Sequence, residues 1–359
     1  FRFTAYWPFF SDVFIWLPLL LLAIERAIQK QKSGLLIVTI TLVLINNFYF
    51  AYYFLIIASV YALIRIIFKH PNDNLTRFRT LCTLLIPALL ALGNSLFIFF
   101  HGVQSFLNNR RVSFSGNVPA FEHLNINTNI FFDNYLIVIL FLTIQSILSF
   151  KLYKHYYYRL FVLLTLALII FTFIPLIDQI FNGFSAPQKR WHFILAFSSS
   201  LLIGLYVKYF RTVSIKSYIT TNLIAQLFIY ISAYCYHKFL PWLILVPVVS
   251  IIGLLILFLK EKKVRIHLTY IYIISIIALS MMMSFVFIKN QIYFQDRQDR
   301  ANTFYANSSL YSSDLQRALV KEMKNSKKDD QRIDWRVNEQ DNTPMYQNFK
   351  GLSLYSSIF

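Results

Sequence analysis

Residues 35–68 read LLIVTITLVLINNFYFAYYFLIIASVYALIRIIF, with Arg65 as the one charged side chain. A helix that crosses the hydrocarbon core of a bilayer needs roughly 20 apolar residues, with a range of about 17–25. The run 48–68 meets that length and the run 35–45 does not. Asn46-Asn47 stands between them. The spacing predicts a tight hairpin: a half-depth helix, an Asn-Asn apex and a full return helix. Non-helical backbone at that depth is tolerated only inside protein or beside water, so the apex should face polar surroundings.

Working outward, the same kind of run recurs at 9–24, 80–100, 135–150, 160–177, 192–210, 219–237, 239–259 and 266–288, which makes about ten hydrophobic segments. Hydrophobic residues make up 57% of the chain and charged residues 14%. Soluble domains carry about 45–50% and about 25%. The fold class expected is therefore an all-α polytopic transmembrane helix bundle over residues 1–288, in the cell membrane. The net charge of +18 does not point to nucleic acid, because the basic residues sit in short clusters between apolar runs, where a membrane protein needs them. Cys82 and Cys235 fall near opposite faces in this reading, too far apart for a bridge, and are expected as core residues. The chain opens on Phe1-Arg2-Phe3 without the pattern of a signal peptide, as the interior of a longer protein would.

Lys and Arg give the orientation. One set of loops holds 17 of them: Arg26, Lys30 and Lys32, Arg65 to Arg79, Lys151 to Arg159, Lys208 to Lys216, and Lys260 to Arg265. The alternating set holds six: Arg2, Arg110, Arg111, Lys189, Arg190 and Lys238. Positive loops stay inside. The loops 101–134 and 178–191 and the tail 289–359 are then extracellular. The tail is nearly balanced in charge. Ser313-Asp314-Leu315-Gln316 reads as a capping box, with Leu315, Leu319 and Met323 as the apolar stripe of its helix. Ile333, Trp335 and Val337 alternate with polar residues as in a strand, and residues 351–359 are strand-like again. The tail should begin an extracellular α+β or β-rich domain.

No phosphate loop, paired-His zinc signature or metal-spaced cysteine pair is present. The polar residues share a level instead. Asp12, Asn46, Asn47, His101, Asp178, Asn182, Lys189, Arg190 and His192 all fall at the extracellular ends of their segments, where they could build a site at the lipid–water boundary. Each also has a plainer reading. Asp12 can be a helix-start residue at headgroup level rather than a functional carboxylate. Asn46 and Asn47 can serve only the freed backbone at the break. His101, His192 and the tyrosines Tyr49, Tyr52, Tyr53 and Tyr156–Tyr158 suit an interfacial aromatic belt. The most specified stretch is Phe181-Asn182-Gly183-Phe184-Ser185-Ala186-Pro187-Gln188-Lys189-Arg190-Trp191. An outward Arg190 beside Trp191 suits a lipid phosphate, since the guanidinium fork matches phosphate oxygens. Its plainer role is contact with anionic headgroups.

Asn182-Gly183-Phe184-Ser185, Pro187-Gln188 and Arg190-Trp191 resemble the YfhO family of bacterial membrane proteins. So do Trp16-Leu17-Pro18-Leu19-Leu20 with Ile24-Glu25-Arg26, Asn47-Phe48-Tyr49-Phe50, and Gly351-Leu352-Ser353-Leu354-Tyr355-Ser356-Ser357. The resemblance implies a GT-C-type glycosyltransferase of Gram-positive bacteria. Its donor would be a polyprenyl-phosphate-linked sugar on the outer face, and its acceptor an envelope polymer such as lipoteichoic or teichoic acid. It also implies further helices and a catalytic carboxylate upstream of Phe1, and a larger β-rich domain after Phe359. Within this chain it leaves Asp12 and Asp178 as candidate catalytic carboxylates, and Arg190, Lys189 and Trp191 as phosphate contacts. Asn182, Asn46, Asn47, Tyr49 and His101 would line the site. A divalent metal fits such chemistry, although no ligand cluster in the sequence encodes one. The alternatives are a lipid-linked-sugar flippase or other transporter, which would favour charged residues near the bilayer midplane, and a non-catalytic membrane scaffold.

The loop alternation is checked by labelling intact cells with an impermeant thiol reagent, after Cys82 and Cys235 are replaced by serine. A cysteine at Asn117 should react and one at Lys154 should not. The opposite pattern would invert the topology.

Overall fold

The computed structural model describes residues 12–108, 114–121, 140–235, 241–261, 268–288, 313–326, 328, 331–335, 344 and 347–351. Arg110, Arg111, Lys238, Lys262, Lys263, Arg265, Val337, the start of run 135–150 and the terminal strand-like stretch lie outside them. The first unit of the chain extends to Ser284 and contains α1 (Val13–Lys30), α2 (Gly34–Asn46), α3 (Phe48–Ile67), α4 (Arg77–Leu107) and α5 (Phe141–Ile147). It continues with α6 (Tyr156–Phe171), α7 (Pro175–Phe181), α8 (Phe193–Tyr209), α9 (Ile215–Cys235), α10 (Leu245–Glu261) and most of α11 (Leu268–Ile288). Described helix lies within each apolar run, but it covers only Phe141–Ile147 of the run 135–150 and is broken within the run 160–177. By length and composition, five helical stretches among the described residues suffice to cross a membrane: Tyr49–Ile67, Arg77–Leu107, Lys189–Thr212, Pro241–Lys260 and Thr269–Val286. A sixth is possible if α6 and α7 are joined as one bent span.

The break at the Asn-Asn apex falls where the sequence puts it. Asn47 leaves the helix with φ −155° and ψ 108°, and its side chain caps α3 by accepting from the backbone N–H of Tyr49 (3.0 Å) and Phe50 (3.3 Å). Two further contacts set the hairpin's direction. Asp12, before α1, accepts from Asn46 Nδ2 at the end of α2 (3.2 Å). Glu25, late in α1, pairs with Arg65, late in α3. So α2 runs against α1 and α3 runs with it. At about 1.5 Å per residue, α2 covers the same rise as Asp12 to Glu25. The short helix therefore reaches the level at which α1 starts, and at 13 residues it stays shorter than a full membrane span, as expected.

Arg65 is 1% exposed. Its Nε and Nη2 donate to the two oxygens of Glu25 (2.5 and 3.2 Å), and its Nη1 and Nη2 donate to Asp73 (3.0 and 3.4 Å). Tyr61 and Tyr157 donate to Glu25 (2.8 Å each), and Tyr156 accepts from Arg65 Nη1 (3.0 Å). Tyr156 and Tyr157, expected as an interfacial belt, thus bind α6 to α1 and α3. Tyr158 is buried, and its hydroxyl donates to the Ser146 carbonyl at 2.7 Å. Sequence periodicity does not show such pairing, because the partners lie 8 to 132 positions apart.

The run 160–177 does not continue straight. α6 and α7 meet at 103°. Pro175 is the cause: it has no N–H for the helix ladder, and it pushes Ile174 into extended backbone (φ −115°, ψ 96°). Proline then serves as the first residue of α7. Cys82 and Cys235 are both free, but Cys235 is exposed rather than in the core.

The second unit begins at Phe285. The capping box at α12 (Asp314–Ser326) forms in both directions: Gln316 N donates to Ser313 Oγ (3.1 Å) and Ser313 N donates to Gln316 Oε1 (3.0 Å). The buried face of α12 is not the stripe expected. Leu315 is 70% exposed and Leu319 is exposed, while Val320 packs with Met323 against Ile333, Trp335 and Phe349. Val320 and Met323 share a face at i, i+3. Ile333 forms a single parallel bridge with Gly351, and no strand occurs among the described residues.

Removing a partner from a buried ion network leaves an uncompensated charge and costs about 3–5 kcal/mol. Arg65→Leu should therefore sharply lower the fraction of protein recovered folded in detergent, with Arg65→Lys between it and the native chain. An Arg65→Leu protein as heat-stable as the native one would show that the network does not hold these helices.

Candidate functional site at the Asn-Asn apex

The bend at Pro175 aims α7 back along the bundle and brings the Asn182 loop against the start of α3. Tyr52 donates to the Ile180 carbonyl (2.9 Å), and Tyr49 donates to Asn182 Oδ1 (3.3 Å) while sharing a 2.6 Å bond with Tyr53. Asn182 also shapes its own loop. Its Nδ2 donates to Ser185 Oγ (2.7 Å) and to the Ala186 carbonyl (2.8 Å). Gly183 follows with φ +62°, in the left-handed region that glycine enters without steric cost. Phe184 shares that conformation at φ +59° and is 67% exposed, so the fold holds an unfavoured backbone in order to turn this ring outward.

The loop re-enters the bundle through a short 3-10 turn, Lys189–His192. Arg190 Nη1 donates to Tyr49 Oη (3.2 Å), and the guanidinium lies 5.9 Å from the centre of that ring. Tyr49 thus accepts from Arg190 and donates to Asn182, as one phenol can. A cation over an aromatic face is further stabilised by the ring quadrupole. Asp12–Asn46, the Asn47 cap and Tyr49–Asn182–Arg190 follow one another around the apex. Of the residues expected at a shared level, Asp12 and Asn46 form one bonded pair, Asn182 and Arg190 meet through Tyr49, and Asn47, which caps the intervening helix, stands between the two groups in sequence.

The others are placed differently. Trp191 is fully buried. Its Nε1 donates to Asp178 Oδ1 at 2.6 Å, and its indole stacks on Phe181 at 5.3 Å. Phe181 stacks in turn on Tyr53 at 5.7 Å. A buried indole supports the turn and cannot touch a headgroup, which corrects its expected role as a phosphate contact. Asp178 is 2% exposed and holds that indole, the position of a supporting carboxylate rather than of one that meets substrate. His192 is buried beside them. His101 is exposed on α4 with its ring near Phe100, and no described bond joins it to the cluster. Lys189 stands in the same 3-10 turn as Arg190. Among the described residues no group of three His, Cys, Asp or Glu side chains gathers as metal ligands do. Sequence reading missed the parts of Tyr52, Tyr53 and Ser185. Their one signal was the aromatic run after the apex, which composition alone assigns to a belt.

The whole chain, residues 1–359, matches the family described as bacterial membrane protein YfhO. The chain belongs to the YfhO family. It is 33% identical over 377 aligned positions to a protein of Bacillus subtilis (strain 168) described as uncharacterized protein YfhO. The match covers all of this chain and 42% of that relative. No solved structure matches the chain. Family membership and the apolar helices together make this a multi-pass membrane protein. Two of the regions that carry the YfhO likeness, 47–50 and the loop 182–191, meet at Tyr49, Asn182 and Arg190.

Proposed function

We propose that the chain is part of a membrane glycosyltransferase whose outer-face site binds a polyprenyl-phosphate-linked sugar, with ten membrane segments and the tail outside. The observation that supports this reading is the guanidinium of Arg190, held by Tyr49 where two separate stretches of chain meet; in this proposal that meeting point lies at the lipid–water level. In the reaction, an acceptor hydroxyl oxygen forms a bond to the anomeric carbon. The bond from that carbon to the phosphate oxygen breaks, and the electron pair leaves with polyprenyl phosphate. The hydroxyl proton passes to a carboxylate, which in this proposal belongs to a loop preceding Phe1. Negative charge therefore grows on the leaving phosphate. A donor already oriented toward that position stabilises the transition state more than the ground state.

Within this chain the roles divide by exposure. Arg190, with Lys189 nearby, faces the phosphate. Tyr49 and Asn182 set the direction of the guanidinium. Trp191 and Asp178 hold the turn from beneath and act as positioning residues. Asp12, partly exposed and tied to Asn46, is the carboxylate available to the acceptor. The acceptor is an envelope polymer such as lipoteichoic or teichoic acid. No residue is assigned to a metal.

The test is turnover of the full-length protein with a polyprenyl-phosphate sugar donor. Losing one preorganised donor costs about 10²–10³ in rate, and Arg190→Ala should fall by that order while still inserting and folding. Arg190→Lys should recover only part of it, since an ammonium keeps the charge and loses the planar fork. Turnover per folded molecule close to native in Arg190→Ala would rule out the phosphate-binding role.

A further inference from the structure

Arg190 stands at the entrance to α8. The far end of that helix meets a different set of groups. There α8 and the start of α11 enclose a cavity of about 460 Å³. Its lining is divided along the helices. Lys208 and Arg211 lie at the end of α8 and just beyond it, and Thr269 lies at the start of α11. Gly204, Val207 and Ile273 line it about one turn further into the bundle. A Cβ built on Gly204 meets no atom within 4 Å, so the groove stays open beside the bare backbone. Lys260 adds a third cation at this end, donating to the Arg211 carbonyl. The Lys208 ammonium sits 5.5 Å from the Tyr209 ring centre.

We infer that this groove is a binding site for an anionic phospholipid. The headgroup phosphate would lie between Lys208 and Arg211, within reach of the Thr269 hydroxyl, and an acyl chain would run past Gly204, Val207 and Ile273. Charge selects the ligand: among the described residues the polar end of the lining is cationic and contains no carboxylate. Arginine suits phosphate through its fork and lysine as a point charge. The apolar inner wall distinguishes a lipid from a free anion, which has no use for it. The walls come from two stretches long and apolar enough to cross a membrane, and basic pockets between such helices are where acidic lipid headgroups dock. The volume falls within the range of about 300–1,000 Å³ usual for small-molecule pockets. Arg190 and Lys208 are 18 positions apart in the sequence, about 27 Å along a helix axis. This groove is therefore distinct from the outer cluster, and the inference stands whatever reaction the protein performs.

The experiment uses the full-length protein, delipidated in detergent and titrated with phosphatidylglycerol, phosphatidylcholine or sn-glycerol 3-phosphate. Bound lipid is read by native mass spectrometry and the melting midpoint is followed in parallel. Phosphatidylglycerol should bind near one-to-one and raise the midpoint. The zwitterionic lipid and the soluble phosphate should do neither. The K208Q/R211Q variant should lose about thirtyfold in phosphatidylglycerol affinity, since each cation near an anionic headgroup contributes about a factor of five to six. Gly204→Leu should weaken retention by filling the groove while leaving both charges in place, and it covers the case in which the double variant does not fold. Unchanged phosphatidylglycerol binding in Gly204→Leu, or in a folded K208Q/R211Q protein, would overturn the site. Equal binding of phosphatidylcholine would overturn it as well, and glycerol phosphate binding as tightly as the lipid would show a free-anion site instead.

Discussion

A buried arginine between two carboxylates fixes the first half of this bundle. Arg65 would be costly to bury alone, and Glu25 and Asp73 from separate parts of the chain meet it with charge-assisted bonds. Three phenols complete the shell. The network connects α1, α3, the turn after α3 and α6, and so fixes how far each helix extends toward the opposite face. Tyr49 and Arg65 are sixteen positions apart on α3, a rise of about 24 Å. Holding the Arg65 end in register therefore sets the height at which Tyr49 meets the Asn182 loop. A slip of one turn would move the phenol by about 5.4 Å and break its bonds to Asn182 and Arg190.

The second half has a neutral counterpart. Gln145 donates to Tyr206 (3.1 Å) and accepts from Asn222 (3.0 Å). Asn222 also donates to Ser250 (3.0 Å), and Gln226 donates to both Asn222 (2.6 Å) and Ser250 (2.9 Å). The cluster draws on α5, α8, α9 and α10. Apolar packing gives helices in lipid little preference for one neighbour over another, and buried amides add that direction. α8 is joined to both halves, since Ser198 also bonds Thr165 of α6 at 2.8 Å. It is the element that connects the Arg190 turn at one end to the cationic groove at the other.

The helices were legible because lipid imposes one rule on every segment, and the rule leaves its mark on composition. The apex was legible because two adjacent asparagines interrupt an apolar run, and the structure uses Asn47 for the backbone role foreseen. The bend before Pro175 was present in the sequence, but a proline at the edge of an apolar run reads equally as the end of a span. Loop alternation put Asp12, Asn46, Asn182 and Arg190 on one expected level, while Tyr49, which bonds the last two, read only as part of an aromatic belt. What did not follow was which of those side chains face outward. Trp191 and Asp178 read as site residues by their neighbours in sequence, whereas in the fold Trp191 is stacked on Phe181, which is itself stacked on Tyr53 of α3, and Asp178 is bonded to the buried indole. The Arg65 network was illegible for a related reason: each partner taken singly is an ordinary loop-end charge or interfacial tyrosine.

The central claim is that Arg190, oriented by Tyr49, receives the phosphate of a polyprenyl lipid. A cryo-EM structure of the full-length protein with polyprenyl phosphate tests it most directly. The account requires phosphate density within about 3 Å of the Arg190 guanidinium, the length of a charge-assisted hydrogen bond, with Tyr49 still bonded to Asn182. Lipid phosphate held elsewhere at the outer level, with Arg190 making no contact to it, would contradict it.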